Sequence, residues 1–383
     1  MSQLLIKNSN IVLENSLLTT SELLIENGKI VNIGANIVAP EATIIDAKGK
    51  TVLPGFIDVH VHGGVGFDFM DANVEGNCKV ARYKASNGCT SFVATTLTGS
   101  KESLLNALTA VKEAQSIEHK GAEIIGVHME GPFFNHGYKG AQNPVFMENP
   151  NIEDIKEYLA VKPGLLKMMS IAPEKEGALQ AIEYMSKRNV TCSAGHTGAT
   201  CVQVQAAVEK GLTHATHTFN GMSPLHHREP GVVGAVMLED DIYAEAIFDC
   251  IHLDPQIVKL LVKVKGINKV ILISDAMQAV GLEDGIYDLG GLTVNVEDGA
   301  ARLLDGTLAG SCLTMQQAFQ NAVEHLDLEL WDISKIMSRN AAVQLGLNKG
   351  VIANGFDADF IFVDDKYNVT DTFVNGIQVY SKN

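Results

Sequence analysis

Positive charge is scarce in this sequence. The 383 residues include 29 lysines and arginines against 45 aspartates and glutamates, which gives a formal net charge of −16. Nucleic acids and anionic membranes are bound through basic surfaces that displace counterions, so we expect no nucleic-acid and no membrane partner. No apolar run approaches the roughly 18 residues that a membrane-spanning helix requires. An anionic small molecule would need a locally basic pocket.

Paired cysteines and targeting signals are missing as well. The six cysteines show no C-x-x-C spacing, which indicates reduced core thiols. Residues 1–24 lack the basic stretch and following apolar segment of a signal peptide, so we expect a cytoplasmic protein. Hydrophobic residues make up 46% of the chain and charged residues 19%, which is ample for a large buried core. The length allows two domains, or one barrel with an appendage.

Both ends of the chain carry short apolar segments with strand character. Near the start, Asn27-Gly28 separates two such segments, which is the strongest short-range signal for a β-hairpin. Near the end, Asn375-Gly376 stands in the same kind of context. Neither end has enough strands to be stable alone. We therefore predict one small β-sandwich domain formed by residues 1–53 and 348–383, with no such texture between them.

Residues 54–347 alternate apolar β-branched runs with helical spacing. This alternation predicts parallel strands linked by helices, and eight such units fit a (β/α)8 TIM barrel. A doubly wound open sheet is the rival arrangement, but no G-x-G-x-x-G motif opens a helix here, which removes the main reason to prefer it. The predicted strands are 56–62, 90–97, 123–130, 167–173, 191–196, 213–218, 244–249 and 270–275. The predicted helices are 103–115, 152–160, 176–188, 200–210 and 255–264.

Potential metal ligands stand where five of these strands end. His60 and His62 lie two residues apart on the first strand, so both side chains face the same side and can reach one ion. A single buried histidine is more often a packing residue, and we interpret His214 in that way. Recurrence at one end of a barrel favours a metal centre, because imidazoles and carboxylates are costly to bury unpaired. The other strand-end groups are His128, Glu130, His196, His217 and Asp275.

A basic loop follows the sixth strand. His226, His227 and Arg228 are consecutive and give the densest positive charge in an otherwise acidic chain. A guanidinium can bind a phosphate through two hydrogen bonds, so the loop suits a phosphorylated ligand. Pairing with the abundant surface carboxylates explains the same residues equally well, and both interpretations stay open at this point.

These motifs carry a family resemblance. The segment from Leu53 to His62 resembles the first-strand signature of the amidohydrolase superfamily. The further motifs, in this order, resemble the N-acetylglucosamine-6-phosphate deacetylase family over residues 23–376. They are His128-Met129-Glu130-Gly131-Pro132, Ala194-Gly195-His196-Thr197, Thr216-His217-Thr218-Phe219-Asn220-Gly221-Met222, Arg228-Glu229-Pro230-Gly231, Ser274-Asp275-Ala276 and Leu308-Ala309-Gly310-Ser311.

The resemblance implies a role for each matching residue. Glu130, His196 and His217 correspond to the metal site kept throughout the family, and His60 and His62 to the extra ligands of members with two metals, with Glu130 as the bridge. Asp275 corresponds to the catalytic carboxylate. His128, which shares a face with Glu130, either orients that ligand or packs in the core, and we favour the orienting role. The implied substrate-binding residues are Ala141, Gln142, Asn220, Gly221, Arg228, His252, Leu308, Ala309, Gly310 and Ser311. Some members carry a histidine where this chain has Gln142. Two roles therefore stay open for Gln142: it polarises the scissile carbonyl, or it only forms a hydrogen bond with the substrate.

The resemblance also implies an activity. It is hydrolysis of N-acetyl-D-glucosamine 6-phosphate to D-glucosamine 6-phosphate and acetate, in amino-sugar catabolism. One or two divalent ions per subunit would be the cofactor, and the ligand types accept Zn, Fe, Mn, Co or Ni. A homodimer or larger homo-oligomer is expected. The alternatives are another amide hydrolase of the superfamily, which should lack the basic loop, and a catalytically silent binding homologue, which should have lost ligands.

Overall fold

The structure, a computed structural model, describes residues 3–382. Its strands follow in chain order. They are β1 (Gln3–Val12), β2 (Leu17–Glu26), β3 (Lys29–Gly34), β4 (Thr43–Asp46), β5 (Thr51–Pro54), β6 (Phe56–Val61), β7 (Gly63–Gly64), β8 (Phe67–Asp68), β9 (Cys89–Thr96), β10 (Glu123–Glu130), β11 (Leu166–Ile171), β12 (Thr191–Ala194), β13 (Leu212–Ala215), β14 (Tyr243–Ile247), β15 (Val270–Ile273), β16 (Gly285–Leu289), β17 (Leu292–Glu297), β18 (Ala300–Leu303), β19 (Phe360–Val363), β20 (Val369–Val374) and β21 (Ile377–Ser381).

Helices connect most of the barrel strands. Side-chain caps begin many of them, as where Thr200 and Gln203 form a reciprocal capping box. Among residues 3–382, no helix is both long and apolar enough to cross a membrane. The α-helices are α1 (Val74–Ser86), α2 (Lys101–Ala114), α3 (Ile152–Ala160), α4 (Ala178–Ser186), α5 (Cys201–Val208), α6 (Gly231–Leu238), α7 (Pro255–Lys265), α8 (Met315–His325), α9 (Leu330–Ser334) and α10 (Asn340–Leu345), with a π-helical turn (Lys335–Arg339) between the last two.

Eight parallel strands form the predicted barrel. In the sheet, β6 pairs with β9, and β9 to β15 then pair in succession. The ring closes just beyond the ends of β6 and β15, where the N–H of Asp275 donates to the carbonyl of His60 and the N–H of His62 donates to that of Ala276, both at 2.9 Å. We call residues 60–62 and 275–276 the closing seam. The (β/α)8 barrel and all eight predicted strands are confirmed.

A buried carboxylate reinforces this seam from within. Asp58 of β6 accepts hydrogen bonds from the backbone N–H (3.2 Å) and the hydroxyl (2.5 Å) of Ser274, which follows β15. It also pairs with Lys84 of α1. Since a buried charge is destabilising unless it is paired, these contacts fix the first strand, the last strand and a helix together.

Strands from the two ends of the chain share one sheet, as predicted. The order is β21-β20-β19-β5-β1-β2-β3, and β4 joins by pairing with β1. The sheet branches because β4 pairs in parallel with Leu4–Lys7 and β5 with the later part of the same strand. Apolar side chains from both ends of the chain, among them Ile6 and Phe360, meet in one cluster, so a single branched sheet surrounds the core that we expected in the sandwich. The boundaries at 53/54 and 347/348 remain our proposal.

A three-stranded antiparallel sheet of β16, β17 and β18 interrupts the barrel region after β15. We expected no such texture there, so this expectation was wrong. The signal was present, because Asp298-Gly299 separates two short runs and both residues adopt positive φ, 51° and 76°, as a tight hairpin turn requires. The sheet packs on Leu97 and Met277 beside the seam, so it stands at the C-terminal end of the barrel.

Candidate active site

Three of the predicted ligands meet at the C-terminal ends of neighbouring strands. Glu130 ends β10, and His196 and His217 lie just beyond β12 and β13. The Oε1 atom of Glu130 is 3.1 Å from Nε2 of His196 and 3.0 Å from Nε2 of His217, and the two nitrogens are 3.2 Å apart. All three side chains are buried, so they form a compact set of metal-ligand type.

A second set lies against the first. His60, His62 and Asp275 come from the closing seam, and Oδ1 of Asp275 is 3.4 Å from Nε2 of His60 and 3.1 Å from Nε2 of His62. Glu130 stands between the sets, with Oε1 3.6 Å from Nε2 of His60 and Oε2 3.3 Å from Nε2 of His62. Each set offers three ligand atoms within reach of one ion.

The residues fit divalent metal ions. Nε2 of His60 and Oδ1 of Asp275 are buried without a hydrogen-bond partner among residues 3–382. Unpartnered buried polar atoms are costly, and coordination to a cation would remove the cost. Imidazole and carboxylate together are ligands that divalent transition metals accept.

The outer ring nitrogens of the first set are held by backbone carbonyls. Nδ1 of His196 lies 3.0 Å from the carbonyl oxygen of Tyr138, and Nδ1 of His217 lies 3.1 Å from that of Asn220. A carbonyl can only accept, so each Nδ1 carries the proton and each Nε2 keeps its electron pair for a metal. Both histidines have positive φ, 47° and 30°, a strained conformation typical of functional sites.

Sequence analysis missed one buried carboxylate in this centre. Oε2 of Glu245 is 3.0 Å from Nδ1 of His60 and accepts the backbone N–H of His217 at 3.0 Å, and Oε1 is 2.9 Å from Nε2 of His214. A signal was available, because Glu245 is the charged residue in the otherwise apolar β14 and a buried carboxylate needs partners. His214, which we had interpreted as a packing residue, is one of these partners.

His128 does not contact Glu130 as an orienting neighbour would. Its Nε2 lies 2.7 Å from the hydroxyl of Ser170 and its Nδ1 lies 3.2 Å from the carbonyl of Val59. Burial and the adjacent His60 lower the pKa of His128 to about 3, so the ring is neutral. Its centroid is 4.8 Å from that of His60 in an edge-on arrangement, so it supports the ring of that ligand by packing.

The ionisable groups of the centre control one another. Burial disfavours the charged form of Glu130, but in the metal-free chain the positive charge of His60 and the other surrounding imidazoles outweigh burial and hold the pKa of Glu130 well below its usual value. Burial likewise lowers the pKa of His62, but the carboxylates of Asp275 and Glu130, at 3.1 and 3.3 Å from its Nε2, outweigh burial and raise that pKa to about 9. In the absence of a cation His62 therefore holds a proton at neutral pH, which an entering metal must displace.

A cavity of about 250 Å³ opens above this centre. His60 is fully buried beneath it and is not in the lining. Most of the predicted substrate-binding residues face the cavity together with the other predicted ligands. These are His62, Glu130, Ala141, Gln142, His196, His217, Asn220, Gly221, His252, Asp275, Leu308 and Gly310.

The side chain of Gln142 is engaged at both ends. Its amide nitrogen donates to Oε2 of Glu130 at 2.6 Å, and its oxygen accepts the backbone N–H of Thr98 at 2.8 Å. The first contact places a neutral donor beside the carboxylate that stands between the two ligand sets. Gln142 therefore orients Glu130 and also lines the cavity.

Ala309 and Ser311 do not line the cavity. Ala309 is buried in the apolar cluster of the β16–β18 sheet. The hydroxyl of Ser311 donates to the carbonyl of Ser274 at 2.5 Å, and its N–H donates to the carbonyl of Asp275 at 2.7 Å. In this chain both residues support the loop that presents Asp275.

Arg228 also stands outside the cavity lining. Its loop is exposed, and its Nη1 lies 2.7 Å from Nε2 of the neighbouring His227. Within residues 3–382, Arg228 forms no ion pair with a carboxylate, so the surface-pairing interpretation is not supported. In the described part of the chain, the basic loop thus pairs with no carboxylate, and Arg228 does not line the cavity.

Residues 51–379 match the model of the Amidohydrolase family. This match covers most of the chain and agrees with the barrel and with the strand-end ligands. The chain belongs to the amidohydrolase family.

Relatives narrow the class further, to N-acetylglucosamine-6-phosphate deacetylases. The N-acetylglucosamine-6-phosphate deacetylase of Lysinibacillus sphaericus is 39% identical over 99% of both chains. The N-acetylgalactosamine-6-phosphate deacetylase of Escherichia coli O157:H7 is 34% identical over 87% of this chain and 89% of its own. Among solved structures, a mutant of the Mycobacterium smegmatis N-acetyl-D-glucosamine-6-phosphate deacetylase in complex with N-acetyl-D-glucosamine-6-phosphate superposes with a TM-score of 0.94, at 33% identity over 100% of both chains.

Proposed function

We propose that this chain is a metal-dependent deacetylase that hydrolyses N-acetyl-D-glucosamine 6-phosphate to D-glucosamine 6-phosphate and acetate, in amino-sugar catabolism. The observation that carries the proposal is the pair of ligand sets around Glu130, with Asp275 facing the cavity above them. The deacetylase relatives, which align over nearly the whole chain, support the same substrate class.

The reaction needs a nucleophile and a proton carrier. A divalent ion, when bound, lowers the pKa of water from about 15.7 to about 7 and polarises a carbonyl oxygen. Asp275 takes the proton from the attacking water, the new bond forms between the water oxygen and the acetyl carbon, and the carbon–nitrogen bond breaks. Asp275 then delivers its proton to the departing nitrogen, which leaves as the amine. The imidazoles of His60 and His62 hold the pKa of Asp275 below its usual value against the effect of burial, so its carboxylate is ready to accept.

We propose that the chain binds two divalent ions. Glu130, His196 and His217 would hold the first, and His60, His62 and Asp275 the second, with Glu130 between them. Zn, Fe, Mn, Co and Ni all suit such ligands, so the identity of the metal depends on its supply.

We propose a cytoplasmic homodimer in which the basic loop serves the cavity of the partner. Asn220, Gly221 and His252 line the cavity beside the metal ligands and suit the sugar phosphate. Arg228 is exposed and pairs with no carboxylate within residues 3–382. Its guanidinium is therefore available to bind the phosphate of the substrate in the cavity of a second copy.

The test is acetate release from N-acetylglucosamine 6-phosphate, from its galactosamine isomer and from unphosphorylated N-acetylglucosamine, with metal analysis of the same sample. We expect turnover of the first substrate and strong preference over the unphosphorylated sugar. Faster turnover of the galactosamine isomer would reassign the sugar. No turnover with metal bound would favour another amide hydrolase, and no turnover without metal binding would favour a silent homologue.

A further inference from the structure

We propose that Glu245 is a positioning residue that determines whether the chain holds its second divalent ion. The inference rests on the proposed function, because it concerns the ligand set of His60, His62 and Asp275. Glu245 lies below the cavity and is not in its lining, so it acts through the residues it contacts.

Glu245 determines which ring nitrogen of His60 carries the proton. Oε2 of Glu245 is 3.0 Å from Nδ1 of His60, and an ionised carboxylate can only accept, so when His60 is neutral, as a metal-binding ring must be, its proton is held on Nδ1. The electron pair of Nε2 is then free. This atom faces Oδ1 of Asp275 at 3.4 Å and Oε1 of Glu130 at 3.6 Å.

Glu245 also contacts a ligand of the first set. The same Oε2 atom of Glu245 accepts the backbone N–H of His217 at 3.0 Å. His217 is at φ 30°, so its backbone needs support from its surroundings. Glu245 therefore holds the ring of His60 in the second set but only the backbone of His217 in the first, whose ring is held independently by the carbonyl of Asn220.

The side chain of Glu245 is itself held in place. Its Oε1 lies 2.9 Å from Nε2 of His214 on the neighbouring β13. Both carboxylate oxygens are thus engaged and the side chain is fully buried, so it holds one orientation. Residues held in this way around a metal site typically change its affinity by about 10- to 100-fold when they are removed.

A purely structural role makes a different prediction. If Glu245 matters only as the buried partner of His214, then breaking that pair from either side should have the same consequence. Glu245→Met and His214→Met both break it with similar side-chain volume. Only Glu245→Met also removes the contacts with His60 and His217.

The experiment is Zn²⁺ binding to the metal-free full chain by equilibrium dialysis, for wild type and both variants. We expect two ions per chain in wild type and in His214→Met. In Glu245→Met we expect one tight ion, with the affinity for the second at least about 10-fold lower. Wild-type binding of two ions by Glu245→Met, or an equal loss in both variants, would overturn the inference. A single ion in wild type would instead contradict the two-ion proposal itself.

A second measurement does not depend on the folding of any variant. In the Zn²⁺-loaded wild-type chain, long-range proton–nitrogen NMR correlations report which ring nitrogen of His60 carries hydrogen. We expect the hydrogen on Nδ1. A hydrogen on Nε2 would overturn the inference.

Discussion

The metal centre and the basic loop of residues 226–228 are both rich in histidine, but they are built in opposite ways. In the centre, His196 and His217 are buried and their Nδ1 atoms are held by backbone carbonyls. In the loop, Arg228 is exposed and its side chain contacts its own neighbour, His227. The metal centre is pre-organised within a single chain, whereas Arg228 forms no ion pair with a carboxylate anywhere in residues 3–382.

This difference separates the chemistry from the recognition of the substrate. A site that stabilises a transition state needs fixed groups, because freedom lost during the reaction raises the barrier. Groups that bind a remote part of the substrate chiefly position it. Variants in the two regions should therefore change different kinetic parameters.

The largest effect should come from removing the metal. Exhaustive dialysis against a chelator should lower kcat by more than about 1,000-fold, because the water then keeps its ordinary pKa. Adding back Zn²⁺ or Mn²⁺ should restore activity. Full turnover by protein that metal analysis shows to be metal-free would contradict the proposed mechanism.

Next in size is the loss of the proton carrier. Asp275→Asn should lower kcat by about 10²- to 10⁴-fold, since the amide cannot take up the proton of the attacking water. The ion held by Glu130, His196 and His217 should remain, and substrate binding should change little. Steady-state kinetics with metal analysis checks this, and near wild-type kcat would exclude the assigned role.

The basic loop should give a smaller effect of a different kind. Arg228→Ala should raise KM for the phosphorylated sugar about 10- to 100-fold, the loss expected for one charged hydrogen-bonding group. The unphosphorylated sugar should be little affected. Arg188→Ala is a suitable control, because Arg188 follows α4 and stacks on Tyr184. Equal losses on both sugars would refute a phosphate contact.

Mixed oligomers sharpen this prediction. Chains carrying Arg228→Ala and chains carrying Asp275→Asn should be unfolded and refolded together. If Arg228 serves the partner's cavity, one of the two sites in a mixed dimer has both residues native. Random pairing makes about half of the dimers mixed, so roughly a quarter of the activity returns. If Arg228 serves its own chain, no site regains both residues and activity stays low.

The effect expected to be smallest over a single pH unit concerns pH and is confined to the metal centre. Against the effect of burial, the carboxylates of Asp275 and Glu130 raise the pKa of His62 to about 9, so below that pH a proton competes with a metal for this residue. Between pH 9 and pH 7 the affinity of the second ion should fall about 10-fold per pH unit. Metal titrations at several pH values test this, and a pH-independent affinity would contradict it.

Sequence patterns were sufficient where periodicity carries the information. The period of two placed His60 and His62 on one face, and the eight strand–helix units predicted the barrel. Patterns could not show Glu245, because a single charged residue in an apolar strand does not reveal which histidine it contacts. The exposure of Arg228 was equally hidden, since it depends on how the loop folds over the strand end.

The closing seam also has a consequence for how the protein is made. His60 and His62 leave the ribosome long before Asp275, yet the barrel closes through hydrogen bonds between residues 60–62 and residues 275–276. A nascent chain that stops short of β15 can therefore neither complete its ring of strands nor assemble its second ligand set. Nearly the whole barrel must therefore be synthesised before the chain can assemble both ligand sets.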